Sequence, residues 1–199
     1  IILVLASEVK KEKYTENMNN EEKKAFGILC QINDKFRLPI LFLKYISNSD
    51  RIEDFIISKD GISFSKVSPR ELLKIFSDNG LPINEEPISK RINDKPSSTY
   101  HSWQRNNLGK NIVAVDIDLL KLNSSDEIEI IFELKRSHID IEKWNPYAVD
   151  KNNFILQSKI AQTMGIKFCI IYNKRQKYPV FIDIISKIKI YNVEYINNE

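Results

Sequence analysis

Glycine, proline, cysteine and histidine are all scarce in this chain of 199 residues. Five glycines and seven prolines are too few for long flexible linkers, which favours one or two folded domains. The two cysteines, Cys30 and Cys169, stand in apolar surroundings and lack metal-ligand spacing. This pattern predicts buried free thiols in a reducing, cytoplasmic setting. Two histidines with no partner spacing disfavour a zinc site.

Long apolar runs are missing as well. The opening run 1–6 is apolar but far too short to span a bilayer, and no basic segment precedes it as in a secretory signal. We therefore expect no membrane partner. A glycine-rich phosphate loop is also lacking, because Gly109-Lys110 has neither the second glycine nor the Ser or Thr of that motif.

The overall composition is that of an ordinary globular protein, with 42% hydrophobic and 29% charged residues. The formal net charge of +3 permits a polyanionic partner without requiring one.

The pattern of elements predicts an α/β (α+β) protein with a central mixed β-sheet flanked by helices. Helices are expected at 20–35, at about 69–77 and at 154–164, strands at 112–121, 127–136 and 167–172, and an irregular stretch at 82–111. From residue 112 the order is strand, strand, helix, strand, which favours a mixed sheet with helices packed on it.

Three segments are expected along the chain. Because Met18 resembles a natural start, residues 1–17 are expected to be an unstructured or extension segment. Residues 18–83 would form an N-terminal part that packs on a core of residues 84–199, or the whole of 18–199 would form one domain.

Two apolar stretches carry the chemistry. The first includes Asp116 and Asp118, and the second includes Glu133 and Lys135. Side chains two apart on a strand share a face, so each pair faces one side of the sheet. If the strands pair, three carboxylates and one ammonium converge, at an energetic cost unless a metal or a partner charge offsets it.

Hard carboxylate oxygens suit Mg²⁺ or Mn²⁺, which one or two carboxylates hold together with water and substrate phosphates. Lys135 is placed to orient or deprotonate an attacking water, or to stabilise charge in a transition state. Together these groups suit hydrolysis of a phosphodiester.

At these residues the sequence resembles the PD-(D/E)xK nuclease superfamily, which includes many restriction endonucleases, Holliday-junction resolvases and repair nucleases. Asp118 matches the acidic position of the first motif strand, and Glu133-Leu134-Lys135 matches the E-x-K of the next. Asp116 matches a position that is often acidic, and Gln157 is similar to a glutamine that many members carry on the following helix.

The resemblance covers about residues 110–175 and implies a restriction-endonuclease-like core and a metal-dependent endonuclease, with DNA as the expected substrate. It implies that Asp118, Glu133 and Asp116 bind the metal and that Asp118, Glu133, Lys135 and Gln157 form the catalytic set. The sequence departs from the family in having no proline before the aspartate. An upstream helical glutamate often adds a ligand, and Glu22 and Glu71 compete for that role. Many members act as dimers, so a homodimer is one expected assembly.

Simpler explanations exist for the same residues. The four charged residues would also suit an exposed sheet face with cross-strand ion pairs, which Glu127 and Glu129 favour. Glu71 has the spacing of a capping box, and Gln157 suits a solvent-facing helix position. The alternative function is a catalytically inactive nuclease-like fold that binds nucleic acid or a protein partner.

Candidate nucleic-acid contacts flank the motif strands. They are basic side chains for phosphates and aromatic side chains for bases: Arg105, Arg136, Trp144, Tyr147 and Lys151. For the two tryptophans, Trp103 and Trp144, a place in the core is the competing interpretation.

Overall fold

The structure is a computed structural model that describes residues 1–46, 51–84, 98–176, 178, 180 and 182–194. The chain divides into two compact units, Ile1–Ile112 (unit 1) and Val113–Glu199 (unit 2). Each unit has a four-stranded mixed sheet and helix, so the predicted α+β class is confirmed, but two sheets replace the expected single central one. No helix in the described part of the chain is long and apolar enough to cross a bilayer.

Unit 1 consists, over its described residues, of a sheet in the order β1-β2-β3-β4 and three α-helices. The elements are β1 Leu3–Val9, α1 Asn20–Phe36, β2 Ile40–Ile46, β3 Phe55–Ser58, β4 Ser65–Val67, α2 Pro69–Asp78 and α3 Thr99–Asn107. Strands β1 and β2 are parallel, which requires the crossover that α1 supplies. The other two pairings are antiparallel.

The first 17 residues, expected to be an unstructured or extension segment, include a strand at residues 3–9. These residues form β1, paired along its whole length with β2 from Leu3↔Ile40 to Val9↔Ile46. The expected boundary at residue 84 also differs from the division after Ile112.

Helix α3 accounts for much of that difference, because it turns part of the expected irregular stretch into core. Its Tyr100 and Trp103 rings stack 5.7 Å apart, and Trp103 also packs edge-on against Phe55 of β3. Residues 85–97 of the stretch lie outside the described residues.

Unit 2 carries the motif residues. Its elements are β5 Leu119–Leu122, β6 Ile128–Ser137, a 3₁₀ turn Ala148–Asp150, α4 Lys151–Met164, β7 Lys167–Gln176 and β8 Ile182–Asn192. The sheet order is β5-β6-β7-β8. Strands β6 and β7 are parallel and joined through α4, whereas β5 and β8 are antiparallel to their neighbours.

The two faces of the unit 2 sheet differ in cover. One face holds Ile131, Glu133 and Lys135 and is covered by α4, which buries Phe154, Gln157, Ser158, Ile160 and Ala161. The opposite face leaves apolar side chains exposed on three strands, namely Leu119, Leu134, Ile188 and Ile190.

The first motif strand is much shorter than the predicted 112–121. Ladder pairing with β6 begins only at Leu119↔Phe132, so Asp116 and Asp118 precede β5. The physical reason is visible at Leu134, whose N–H is bonded at 2.8 Å by the Asp118 carboxylate instead of by a backbone carbonyl of a continuing strand. The second motif strand, β6, is confirmed within one residue of its predicted start and end.

Candidate active site

Strand β6 presents Glu133 and Lys135 on its α4-covered face. They are two residues apart, so they project to the same side of the sheet, as the sequence predicts. On β7 they lie beside Ile170 and Tyr172, both buried. The surroundings of the two charged groups are therefore largely apolar, and Glu133 itself is only 6% exposed.

Both carboxylate oxygens of Glu133 have protein partners. Oε1 lies 2.8 Å from the Lys135 ammonium nitrogen, and Oε2 accepts a hydrogen bond of 2.5 Å from Gln157 Nε2. A buried carboxylate requires such partners, because an uncompensated charge in the interior would cost several kcal/mol.

Helix α4 delivers Gln157 to this carboxylate. The side chain is 1% exposed, so the interpretation as a solvent-facing helix residue is wrong. While Gln157 Nε2 donates to Glu133, its Oε1 is buried and has no hydrogen-bond partner among the described residues. A buried acceptor without a donor is uncommon, and functional sites are one of the places where such atoms occur.

Lys135 is held by more than Glu133. Its Nζ lies 3.1 Å from Asp150 Oδ2 and 5.4 Å from the centre of the Phe154 ring. Burial works against the charged form of Lys135, but the two acids more than offset it and raise the pKa of the ammonium above its usual range. Lys135 is thus a fixed positive charge here rather than a base.

Asp150 is the site residue that sequence reasoning missed. An aspartate immediately before a helix is normally interpreted as an N-cap, and the sequence around residue 150 does not indicate any other role. Only the packing of α4 on β6 brings the residue to Lys135.

Asp118 lies beside this cluster. The residue is exposed, but its carboxylate is turned toward β6 and bonds the Leu134 N–H. Desolvation raises the pKa of the Asp118 carboxyl, and the charges of Glu133 and Asp116 add to the rise, while the Leu134 N–H and Lys135 oppose it. Extending the β5–β6 register by one residue places Asp118 opposite Glu133.

The alternative of an exposed face with ion pairs fits the other end of these strands but does not fit Glu133 and Lys135. There Lys121 and Glu129 pair at 2.6 Å with 56% and 41% of their side chains exposed. At Glu133 and Lys135 the corresponding exposures are 8% and 19%, so this pair is not part of a solvated face. Asp116 is exposed.

The competing upstream glutamates belong to unit 1, where each has a structural partner. Glu71 forms the capping box of α2 with Ser68, as the simpler explanation predicted. Glu22 caps α1 with Asn19 and is buried against Lys44 at 3.1 Å.

The predicted nucleic-acid contacts have separate outcomes. Trp144 is 1% exposed and stacks on Tyr172 with ring centres 4.2 Å apart, so its predicted contact with bases is wrong and its place is in the core. Tyr147 and Arg136 are exposed, the latter 3.5 Å from Asp183. Two further residues complete the set: Lys151 begins α4, and Arg105 belongs to α3 of unit 1, where its Nε contacts His101.

The candidate site offers few ligands for a hard divalent cation. Among the described residues there is no group of three or more His, Cys, Asp or Glu side chains arranged to hold a metal ion. Asp118 and Glu133 supply two carboxylates, which is the number that Mg²⁺ commonly takes from a protein when water and substrate phosphates complete its shell. Each carboxylate oxygen can accept more than one partner, so the Lys135 and Gln157 contacts do not exhaust Glu133.

Comparison of the chain with protein-family models, with curated proteins and with solved structures found no significant match.

Proposed function

We propose that this protein is a metal-dependent nuclease that hydrolyses phosphodiester bonds, with DNA as its substrate, and that unit 2 is a restriction-endonuclease-like core. The observation that carries the proposal is the ion pair of the buried Glu133 with the partly buried Lys135. Gln157 donates a hydrogen bond to Glu133, and Asp118 is near enough to feel the charges of both residues. The proposed core is supported by the order strand, strand, helix, strand in unit 2 and by the parallel pairing of β6 with β7 through α4.

The pair is difficult to explain as a stabilising element. Replacing a buried ion pair by apolar residues is often neutral or stabilising, so burial of charge is weak support for a structural role. Charged groups with perturbed pKa values and a specific partner are instead concentrated at functional sites. Lys135 meets this description, because its pKa is raised and it has two specific partners, Glu133 and Asp150.

Each residue has a role that follows from its position. Asp118 and Glu133 would hold Mg²⁺ or Mn²⁺, which when bound lowers the pKa of water and neutralises phosphate charge. Lys135, kept charged by its acids, would orient the attacking water and stabilise negative charge on the phosphate. Gln157 fixes the rotamer of Glu133, and its free Oε1 is an acceptor for a water at the site.

A second function is favoured by one observation. Both oxygens of Glu133 already have protein partners, an arrangement that also suits an inactive nuclease-like module that binds nucleic acid without a metal. Such a module would bind equally well in EDTA and would be indifferent to removal of the Lys135 charge.

The deciding experiment measures cleavage of plasmid, linear, branched and single-stranded DNA and of RNA, with Mg²⁺, with Mn²⁺ and with EDTA. Wild type is compared with Lys135→Ala and with Lys121→Ala, which removes an exposed lysine from the same sheet. We expect metal-dependent cleavage of DNA that falls on the order of 100-fold or more in Lys135→Ala and is unchanged in Lys121→Ala. Binding in EDTA without any cleavage would refute the nuclease and favour the binding module.

A further inference from the structure

Asp150 occupies the residue before α4, where an aspartate usually caps the helix. Its carboxylate does not do so: no side-chain cap bond is formed at this position. By contrast, the Ser68 and Asn19 side chains at the starts of α2 and α1 both accept a backbone N–H. The Asp150 side chain is therefore used for something other than the helix.

The carboxylate of Asp150 is bonded instead to Lys135. Asp150 Oδ2 lies 3.1 Å from Lys135 Nζ, and the two side chains are 17% and 19% exposed. The Lys135 ammonium is thus contacted by carboxylates from two elements. Glu133 lies on its own strand at 2.8 Å, and Asp150 belongs to the 3₁₀ turn before α4.

A single acid would be a poor anchor for a lysine at a metal site. A divalent cation on Glu133 would draw electron density from that carboxylate and repel the nearby ammonium, which would weaken the Glu133–Lys135 contact. A second carboxylate, on a different element from Glu133, would keep the ammonium near the reacting phosphate.

We infer that Asp150 is a positioning residue that holds Lys135 in its catalytic place when Glu133 is engaged by a metal ion, an inference that rests on the proposed nuclease function. In this role Asp150 contacts neither substrate nor metal and acts only through Lys135. Removal of its charge should therefore lower the rate of the chemical step and leave the binding of DNA intact.

The test compares Asp150→Asn and Asp150→Glu with Asp140→Asn, which breaks an exposed ion pair between the same loop and Lys174 of β7. Steady-state cleavage of DNA is measured at saturating Mg²⁺, at a temperature well below the unfolding midpoint of every variant. In Asp150→Asn we expect kcat to fall about 10- to 100-fold with KM within about 3-fold of wild type. Asp150→Glu should recover part of kcat, and Asp140→Asn should match wild type.

Coupling to Lys135 is measured in the same experiment. In a Lys135→Ala background, Asp150→Asn should change kcat by less than about 2-fold, because the group that it positions is gone. If wild type cleaves DNA and Asp150→Asn has the wild-type kcat, whether or not its KM changes, the positioning role is overturned while the nuclease function stands. If wild type cleaves no substrate, the proposed function fails and this role fails with it.

Discussion

Replacement of Lys135 by methionine tests the buried site independently of any activity. Methionine keeps the length of the side chain but removes the charge, so Glu133 and Asp150 lose the ammonium that both contact. Breaking a buried pair by removing one partner typically costs about 3–5 kcal/mol. Because the Lys135 side chain is 19% exposed, we expect the lower end of that range, about 3 kcal/mol.

The assay is urea unfolding followed by circular dichroism, with Lys121→Met as the matched control. Lys121 pairs with Glu129 on the same sheet, but both side chains are about half exposed, so its loss should cost less than about 1 kcal/mol. Adding Glu133→Gln to Lys135→Met should regain part of the loss, because the uncompensated carboxylate is then neutral. Equal losses in Lys135→Met and Lys121→Met would refute the conclusion that the motif pair is largely shielded from solvent and interdependent.

Three further predictions concern other parts of the molecule. Burial opposes ionisation of Glu22, but bonds from Ser7, Asn19 and Lys44 outweigh it and lower the pKa of its carboxyl below 4.5. Its contribution to the free energy of unfolding should therefore be complete above about pH 4.5 and disappear as the pH falls further, so the wild-type excess over Glu22→Gln must shrink on acidification. Trp144→Ala should destabilise the protein by about 3–5 kcal/mol in the same urea assay, and a loss below about 1 kcal/mol would contradict its place in the core. MgCl₂ at a free concentration about 100-fold above Kd should stabilise wild type by about 2.7 kcal/mol and Asp118→Asn much less. An equal shift in both proteins, or none in either, would exclude Asp118 as a ligand.

Helix starts were predictable because their signals are local. The α2 start is encoded within four residues, since Ser68, Pro69 and Glu71 supply the cap, the first helical turn and the reciprocal bond. The start of α4 was less well predicted: a helix was expected from residue 154, but it begins at Lys151. Residues 150–153 include several polar side chains of similar capping preference. The Asp150 side chain contacts Lys135 and forms no cap hydrogen bond.

Strand lengths depended on partners far along the chain. The apolar alternation of 112–121 suits a strand, but a strand exists only where a neighbour bonds it, and the Asp118 side chain takes the Leu134 N–H that would continue the ladder. Helix α3 is the converse case, because its sequence has modest helix propensity and its stability comes from packing Tyr100 and Trp103 into the unit 1 core.

The sequence by itself determined which charged residues share a face, because side-chain alternation on a strand requires no knowledge of the fold. It placed Glu133 and Lys135 together and pointed to Gln157 on the following helix. Only the tertiary structure decided that Glu133 is buried and Lys135 partly buried, that Gln157 bonds Glu133 and that Asp150 holds Lys135. It also decided that Trp144 lies in the core instead of facing solvent. The reason is that burial and hydrogen bonding between side chains are set by which elements pack on one another, and 15 to 24 residues of chain separate the partners of these contacts.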